Sequence, residues 1–400
     1  MGWFSDRIVR WQREHGRHDL PWQGTRDPYR IWVSEVMLQQ TQVASVVGYF
    51  QRFVARFPDL HALAAADLDD VMRQWSGLGY YSRARNLHAC ARKLADELGG
   101  EFPRCGPALS RLPGVGRSTG AAIAVFAHGA REPILDGNVR RVLCRFFAVE
   151  GDPGQAAVQR RLWEIAEREL PRSSLEQYTQ GLMDLGATVC TRARPACERC
   201  PLARRCLARA QGITDRLPHP RARRASPQRS TRMLILCRGD EVLLERRPST
   251  GIWGGLWSLP QVDADPGPSA RGYEVLAREE LPAFEHAFTH FRLRVEPLLL
   301  AVRPAGGRGA RDAPGEVWMP LSEVQAAALP APVKALLLRL RDRPGGPLRP
   351  RDAVPGTGAP ATGAPAGRAA PSAVVAPSAR SAGTRTGGSP PTRRGRSAGG

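Results

Sequence analysis

The sequence predicts a mainly α-helical domain followed by a mixed α/β domain and a disordered C-terminal tail. Three observations predict this order. Up to about residue 208 apolar residues recur at three- and four-residue spacing, as in Trp32, Val33, Val36 and Met37, with short Gly or Pro breaks. From Met233 the period changes: Met233–Cys237, Glu241–Glu245 and Phe291–Val302 read as strands bounded by turn residues. From Arg343 to Gly400 the chain is Pro, Gly, Ala, Ser, Thr and Arg with almost no large apolar side chain, too little to offset the entropy of ordering.

Four hundred residues exceed what one hydrophobic core usually organises, so two domains are expected. The divisions fall at residues 1–212 for the helical domain, 213–231 for a linker, 232–342 for the α/β domain and 343–400 for the tail. The linker assignment rests on the run from Leu217 to Pro227, which is rich in Pro and Arg and holds nothing apolar to bury. No internal repeat is present.

The formal net charge is +20, but its distribution matters more than its size. The tail carries nine Arg against Asp352 alone, a net +8, and Asp215–Arg232 carries six Arg against one Asp, a net +5. Most of the excess therefore sits on segments that any solvated tail could carry, and charge alone does not establish a nucleic-acid partner. No run of about 18 apolar residues exists, and Met1–Arg7 lacks the apolar stretch of a signal peptide, so a cytoplasmic protein with no membrane partner is expected.

Four of the eight cysteines, Cys190, Cys197, Cys200 and Cys206, lie within 17 residues in the pattern C-x6-C-x2-C-x5-C. In a reducing compartment such a cluster points to metal ligation rather than to disulfides. Four thiolates suit zinc or an iron–sulfur cluster equally well. The segment between them is Arg-rich and too polar to form a core, so a bound centre would hold it rigid and present its charge outward.

Leu112-Pro113-Gly114-Val115-Gly116-Arg117-Ser118-Thr119-Gly120 precedes the apolar run Ala121–Val125. Glycines at i and i+2 permit a tight turn with outward-facing N–H groups, and the following helix directs its N-terminal dipole at an anion. The bland alternative is a Gly-rich connector.

Two carboxylates stand out. Asp136 ends the apolar run Ile134-Leu135 and precedes Gly137-Asn138 and a helical stretch, so it can cap that helix, and cap hydrogen bonds favour its ionised form. Glu35 lies in a helix expected to begin at Asp27-Pro28, and its neighbours three and four residues away are Trp32, Leu38, Ile31 and Gln39. Burial there would raise its pKa and keep a proton available near neutral pH, whereas a solvent-facing Glu would do nothing of the kind.

Taken together, these motifs resemble the MutY family of adenine DNA glycosylases within the endonuclease III-like helix-hairpin-helix superfamily. The resemblance covers residues 1 to about 342 and is carried by W-V-S-E-V-M-L-Q-Q-T-Q-V around Glu35, the hairpin, L-D-G-N-V around Asp136 and the cysteine pattern. It implies one four-iron four-sulfur cluster on Cys190, Cys197, Cys200 and Cys206. Glu35 would protonate adenine at N7, while Asp136 would stabilise the positive charge on the sugar. Gly114, Val115 and Gly116 would grip DNA phosphate; Tyr80, in Leu78-Gly79-Tyr80-Tyr81-Ser82-Arg83, would wedge beside the lesion, and Gln39 would fill the gap left by base flipping. Arg17, Trp22, Ser118, Asn138 and Gln180 correspond to positions that form or support the adenine pocket. Tyr80 and Tyr81 could instead be core aromatics.

Residues Met233–Leu340, with Gly251-Ile252-Trp253-Gly254-Gly255-Leu256-Trp257, resemble the Nudix-like domain that recognises 8-oxoguanine in this family. Its recognition loop reads Phe-Ser-His, and this chain has Phe288-Thr289-His290, which keeps the hydroxyl and adds a methyl. Phe288 as core and His290 as plain surface is the alternative. The Glu array a Nudix hydrolase needs for Mg²⁺ is missing, with only Arg278-Glu279-Glu280-Leu281 faintly similar.

The implied activity is monofunctional removal of adenine mispaired with 8-oxoguanine, and with guanine, by a monomer that wraps duplex DNA between its domains. Endonuclease III carries a lysine just after the second hairpin glycine, as a Schiff-base nucleophile for strand cleavage; here Gly116-Arg117 leads to Ser118. A pyrimidine glycosylase-lyase is opposed by Ser118, and a non-catalytic lesion-binding scaffold would need neither Glu35 nor Asp136.

Overall fold

The computed structural model describes residues 2–220, 226–288, 290–305 and 315–348. The helices of the N-terminal domain are α1 (Trp3–His15), α2 (Pro28–Leu38), α3 (Val43–Arg56), α4 (Leu60–Ala65), α5 (Leu68–Trp75), α6 (Ser82–Glu97), α7 (Gly106–Leu109), α8 (Arg117–His128), α9 (Gly137–Phe146), α10 (Ala156–Arg168), α11 (Leu175–Thr188) and α12 (Leu207–Ala210). Strands β1 (Gln228–Arg238), β2 (Glu241–Arg246), β3 (Trp257–Ser258), β4 (Gln261–Val262), β5 (Ser269–Ala270), β6 (Tyr273–Glu280), β7 (Phe284–Ala287), β8 (Arg292–Pro304) and β9 (Glu316–Pro320) follow, and α13 (Ala331–Arg341) closes the described part.

Local chemistry starts α2 where the sequence places it. Asp27 accepts from the Tyr29 backbone N–H at 2.9 Å, and Pro28 occupies the first turn, where its missing donor costs nothing. Ile31, Trp32, Val33, Val36 and Met37 are all buried, each contributing about 1.5–3 kcal/mol by area. Their partners are Phe50, Phe53 and Phe57 of α3 and its end, and Trp75 of α5. A second cluster joins α1, α9, α10 and α11 through Phe4, Ile8, Val142, Leu162 and Leu185. The cleft described below lies where these two halves meet.

Gly120 shows why α7 and α8 cross so closely, since a Cβ there would lie 2.8 Å from the Gly106 carbonyl oxygen and from Ser110 Oγ. Gly114, at φ +75°, makes the turn between them.

Among the described residues the strands form one nine-stranded sheet in the order β3-β2-β1-β8-β6-β5, with β4 beside β1, β7 beside β8 and β9 beside β2. The β1–β8 pair is parallel, from Gln228 opposite Arg292 to Cys237 opposite Ala301, and every other pair is antiparallel. Both faces of β1 are covered, which explains its unbroken apolar run. Leu234 and Leu236 join Leu298, Leu300 and Trp318 on one face. Met233 and Ile235 point the other way, into a cluster that contains Val333 and Leu337 of α13 and continues into Trp32 and Phe50 of the helical domain.

Two boundaries differ from expectation. β1 begins at Gln228, four residues inside the stretch read as linker, because Gln228–Thr231 pair with Arg292–Val295. A Pro/Arg-rich composition carries no trace of a partner strand 64 positions later. At the other end, Leu348 packs against the core and Arg343 donates to Glu279 at 2.8 Å, so contacts extend a few residues past the start of the expected tail. Residues 349–400 and 221–225 lie outside the described residues.

Candidate active site

The two carboxylates face one cleft. It measures about 970 Å³ and is walled by α2, the segment from Arg17 to Arg26, the first turns of α8 and α9, and α11. Of the residues singled out from the sequence, Arg17, Trp22, Glu35, Gln39, Gly116, Ser118, Asp136, Asn138 and Gln180 all line it.

Glu35 is half-buried in a helix whose flanking positions, Ser34 and Val36, are buried. Loss of hydration pushes its carboxyl up to about 8, and the charge on Asp136 adds to the shift. Asp136 caps α9: its Oδ1 accepts from the Val139 backbone N–H at 2.7 Å, and its Oδ2 accepts from Asn138 Nδ2 at 3.2 Å. These bonds and the nearby Arg141 guanidinium hold its pKa down, as expected for a cap, yet burial outweighs them and the net direction is upward. That net direction differs from the expectation, because the local sequence reveals the cap and not the depth of the cleft. The repulsion between the two carboxyls falls on Glu35, so Glu35 is the member that keeps its proton as the pair titrates.

Around them the walls are tied down by bonds that a linear reading misses. Asp184 of α11 is wholly buried and accepts from Arg17 backbone N at 2.9 Å, Arg17 Nε at 2.7 Å and Gln180 Nε2 at 2.9 Å. It anchors the Arg17–Arg26 wall to α11 across 167 positions, and nothing in D-L-G-A-T at 184–188 announces that role. Ser118 Oγ accepts from the Leu135 N–H at 3.0 Å, which sets the approach of the chain to Asp136. Trp22 packs edge-on against Phe50, and Gln39 Nε2 donates to Thr119 Oγ1 at 3.4 Å.

Gly114 and Val115 lie outside the cleft while Gly116 caps α8 beside it. Tyr80 is not a core aromatic: it is 46% exposed and sits at φ +49°, a conformation uncommon for a bulky residue. Arg83, whose position in the helical pattern carries no sign of such a role, holds it there. Its guanidinium packs against the rings of Trp75 and Tyr80 and donates to the Gly79 carbonyl at 3.1 Å. It also donates to the carbonyls of Val36 at 2.9 Å and Met37 at 2.6 Å, at the end of the helix that carries Glu35.

Cys190, Cys197, Cys200 and Cys206 line one small pocket, about 20 Å³, with Val189, Pro195, Ala196 and Ala203, and none is in a disulfide. Four thiols outside any disulfide on one pocket are the donor set that an iron–sulfur cluster takes. Buried Arg145 clamps this loop, donating to Cys190 Sγ at 3.4 Å and to the carbonyls of Thr191 at 2.6 Å and Leu217 at 2.8 Å. Arg141 links the loop to the cap of α9, donating to the Cys190 carbonyl at 2.7 Å and to Asn138 Oδ1 at 2.8 Å.

In the second domain Phe288 and His290 lie in the β7–β8 hairpin loop, far in sequence from the cleft; Thr289 lies outside the described residues. Phe288 is half-buried, stacked on Phe291 at 4.6 Å and packed against Trp253 at 5.5 Å, while His290 is exposed.

A short helix, a Gly-hinged turn and a longer helix beside a cleft with two carboxyls fit the helix-hairpin-helix class of base-excision DNA glycosylases, and the matches to known proteins establish that class. Residues 33–168 match the HhH-GPD superfamily of base excision DNA repair proteins, and residues 231–339 match the NUDIX domain. The adenine DNA glycosylase of Buchnera aphidicola subsp. Acyrthosiphon pisum is 33% identical over 338 residues, 84% of this chain and 96% of that protein. The human adenine DNA glycosylase is 33% identical over 399 residues, 83% of this chain and 72% of its own. Among solved structures, a thermostable thymine-DNA glycosylase is 28% identical, with a TM-score of 0.47, over 52% of this chain and 95% of that one. The chain belongs to the MutY family of adenine DNA glycosylases, and the helical domain, the Nudix-like domain and their order are those the sequence predicted.

Proposed function

We propose that this chain removes adenine mispaired with 8-oxoguanine, and with guanine, from duplex DNA, and that Glu35 and Asp136 carry the reaction. The observation that supports this most is the shared cleft, in which one carboxyl holds a proton that the charge of the other helps it keep. Glu35 donates that proton to adenine N7. The C1′–N9 bond then breaks with its electron pair passing to the protonated base, and the charge of Asp136 stabilises the cation left on the sugar. Water completes the hydrolysis at C1′, directly or after transient bonding of Asp136 there. Arg17, Trp22, Ser118, Asn138 and Gln180 shape and brace the pocket. Tyr80 wedges beside the extruded nucleotide, Gln39 occupies the vacated space, and Gly114, Val115 and Gly116 grip phosphate, positioning the duplex without reading its sequence.

The division of labour follows residues 1–212 for chemistry and 232–342 for the opposite base, with Phe288, Thr289 and His290 at the 8-oxoguanine. The four cysteines would hold one four-iron four-sulfur cluster, whose contribution is to fix the Arg-rich loop against phosphates. Iron and sulfide at about four each per chain are expected on purification, and Cys200→Ser should lose both together with duplex affinity. The protein acts as a monomer in the cytoplasm, at the nucleoid if bacterial; among the described residues no helix is long and apolar enough to cross a membrane.

Incubation with an A:8-oxoguanine duplex should leave an abasic site whose strand breaks only after alkali, because Ser118 supplies no amine for a Schiff base. Prompt strand cleavage, or covalent trapping by borohydride at the level of a lyase, would overturn the assignment. The pH dependence follows from the sign of the Glu35 shift. An acid raised to about 8 is protonated below that pH, so single-turnover excision should be flat through neutrality and fall about tenfold per unit well above it.

A further inference from the structure

The first turns of α6 touch three separate parts of the molecule. Arg83 holds the Tyr80 turn and the end of α2. Asn86 packs on the hairpin turn, where a Cβ on Gly114 would lie 2.7 Å from Asn86 Cβ. Arg85, between them, reaches out of the helical domain and donates from Nη1 to the carbonyl of Gly254 in the second domain.

The place where that bond lands is what matters. Among the described residues, polar contacts from Arg246 to Asp69 and from Lys334 Nζ to Ser76 Oγ also cross between the domains, and they dock β2 and α13. The Arg85 bond instead lands on the tight segment Gly251–Trp257. Gly254 there has no room for a side chain, since a Cβ would lie 2.6 Å from the Ser249 carbonyl oxygen, and Gly255 passes Arg85 Cδ at φ +75°. The residue just before, Trp253, is held at φ +55° and buries its ring 5.5 Å from Phe288 and 5.9 Å from His286. A left-handed conformation at a Trp costs about 1 kcal/mol or more, so it persists because the contacts on either side of it over-determine the segment.

We propose that Arg85 is a specificity-determining positioning residue. It ties the segment that carries Trp253, and through it the Phe288 loop, to the same helical turn that sets Tyr80 and the end of the Glu35 helix. This rests on the reading of Phe288 as part of the opposite-base loop. With 8-oxoguanine seated at that loop, the tie transmits its placement to the wedge and the acid; with guanine there, the tie has nothing to transmit.

The test is single-turnover excision from A:8-oxoguanine and A:G duplexes, taken as the ratio of the two rate constants, which is insensitive to the fraction of folded enzyme. Arg85→Ala should lower the rate on A:8-oxoguanine about tenfold and leave A:G within about twofold, the size of one charge-assisted hydrogen bond. Arg85→Lys, which keeps a donor, should recover part of the ratio. Phe288→Ala should also lower the ratio, and the double variant should fall no further than Phe288→Ala alone. Equal losses on both duplexes, or additive losses in the double variant, would overturn the coupling. If Phe288→Ala leaves the ratio intact, the reading of the recognition loop fails and takes this proposal with it. If Phe288→Ala lowers the ratio and Arg85→Ala does not, only the coupling fails.

Discussion

Glu35→Gln should abolish adenine excision while leaving binding to the mispaired duplex intact. The amide fills the same space and cannot donate the proton a carboxylic acid delivers, so the loss in single-turnover rate is expected at about 10²- to 10⁴-fold. The same variant should be more heat-stable than the parent, and the gap should widen with pH. The Glu35 carboxyl is raised to about 8 in the folded chain from an ordinary value of 4.5. Between those values the folded state retains a proton that the unfolded state releases, so the parent loses stability as pH rises through that window and the amide does not. Melting curves at about pH 5 and about pH 8 measure this. An active Glu35→Gln, or one whose stability gap is indifferent to pH, would show that the acid lies elsewhere.

Asp136→Asn should cost about 10²- to 10³-fold in excision, the range expected for removing one preorganised charge from a developing cation. Its structural effect should be small. Asn is as good an N-cap as Asp, so the bond from Val139 survives, and only the contact with Asn138 Nδ2 is put at risk, about 1 kcal/mol. A second signature separates charge from structure. The Asp136 charge is among the causes that raise Glu35, so its removal should move the alkaline limb of the residual rate toward lower pH. An unmoved limb would mean that the two groups do not share an electrostatic environment in the working enzyme.

Much of this site is legible in one dimension because its parts are made locally. The hairpin needs Gly114 and Gly120 within one turn and one helix, the α9 cap needs Asp136 three residues before Val139, and the cysteine pocket takes its four thiols from 17 consecutive residues. The mostly apolar helical neighbours of Glu35, Ile31, Trp32 and Leu38, are legible for the same reason, whereas the depth of its burial depends on what packs around them. What could not be read are the long-range ties: Asp184 to Arg17, Arg83 to the end of α2, Arg85 to Gly254 and the parallel register that starts β1 inside the expected linker. Arg83, Arg85 and Asp184 sit in stretches whose spacing is that of any amphipathic helix, and a charged residue reads as solvated face until its partner is known.

By itself, then, the chain specifies the local parts of its site: a carboxyl in a mostly apolar helical turn, a capping carboxylate, a glycine turn ahead of a helix, and four thiols in one loop, each set by contacts a few residues apart. Only the tertiary structure decides that the acid and the carboxylate open onto one cleft, and that burial there lifts Asp136 against its own cap. It alone joins the apolar clusters of the two domains into one and brings the second domain onto α6. The physical reason is range. Caps, turns and helical neighbours act over three or four residues, whereas desolvation and charge repulsion depend on what the rest of the chain packs around a group.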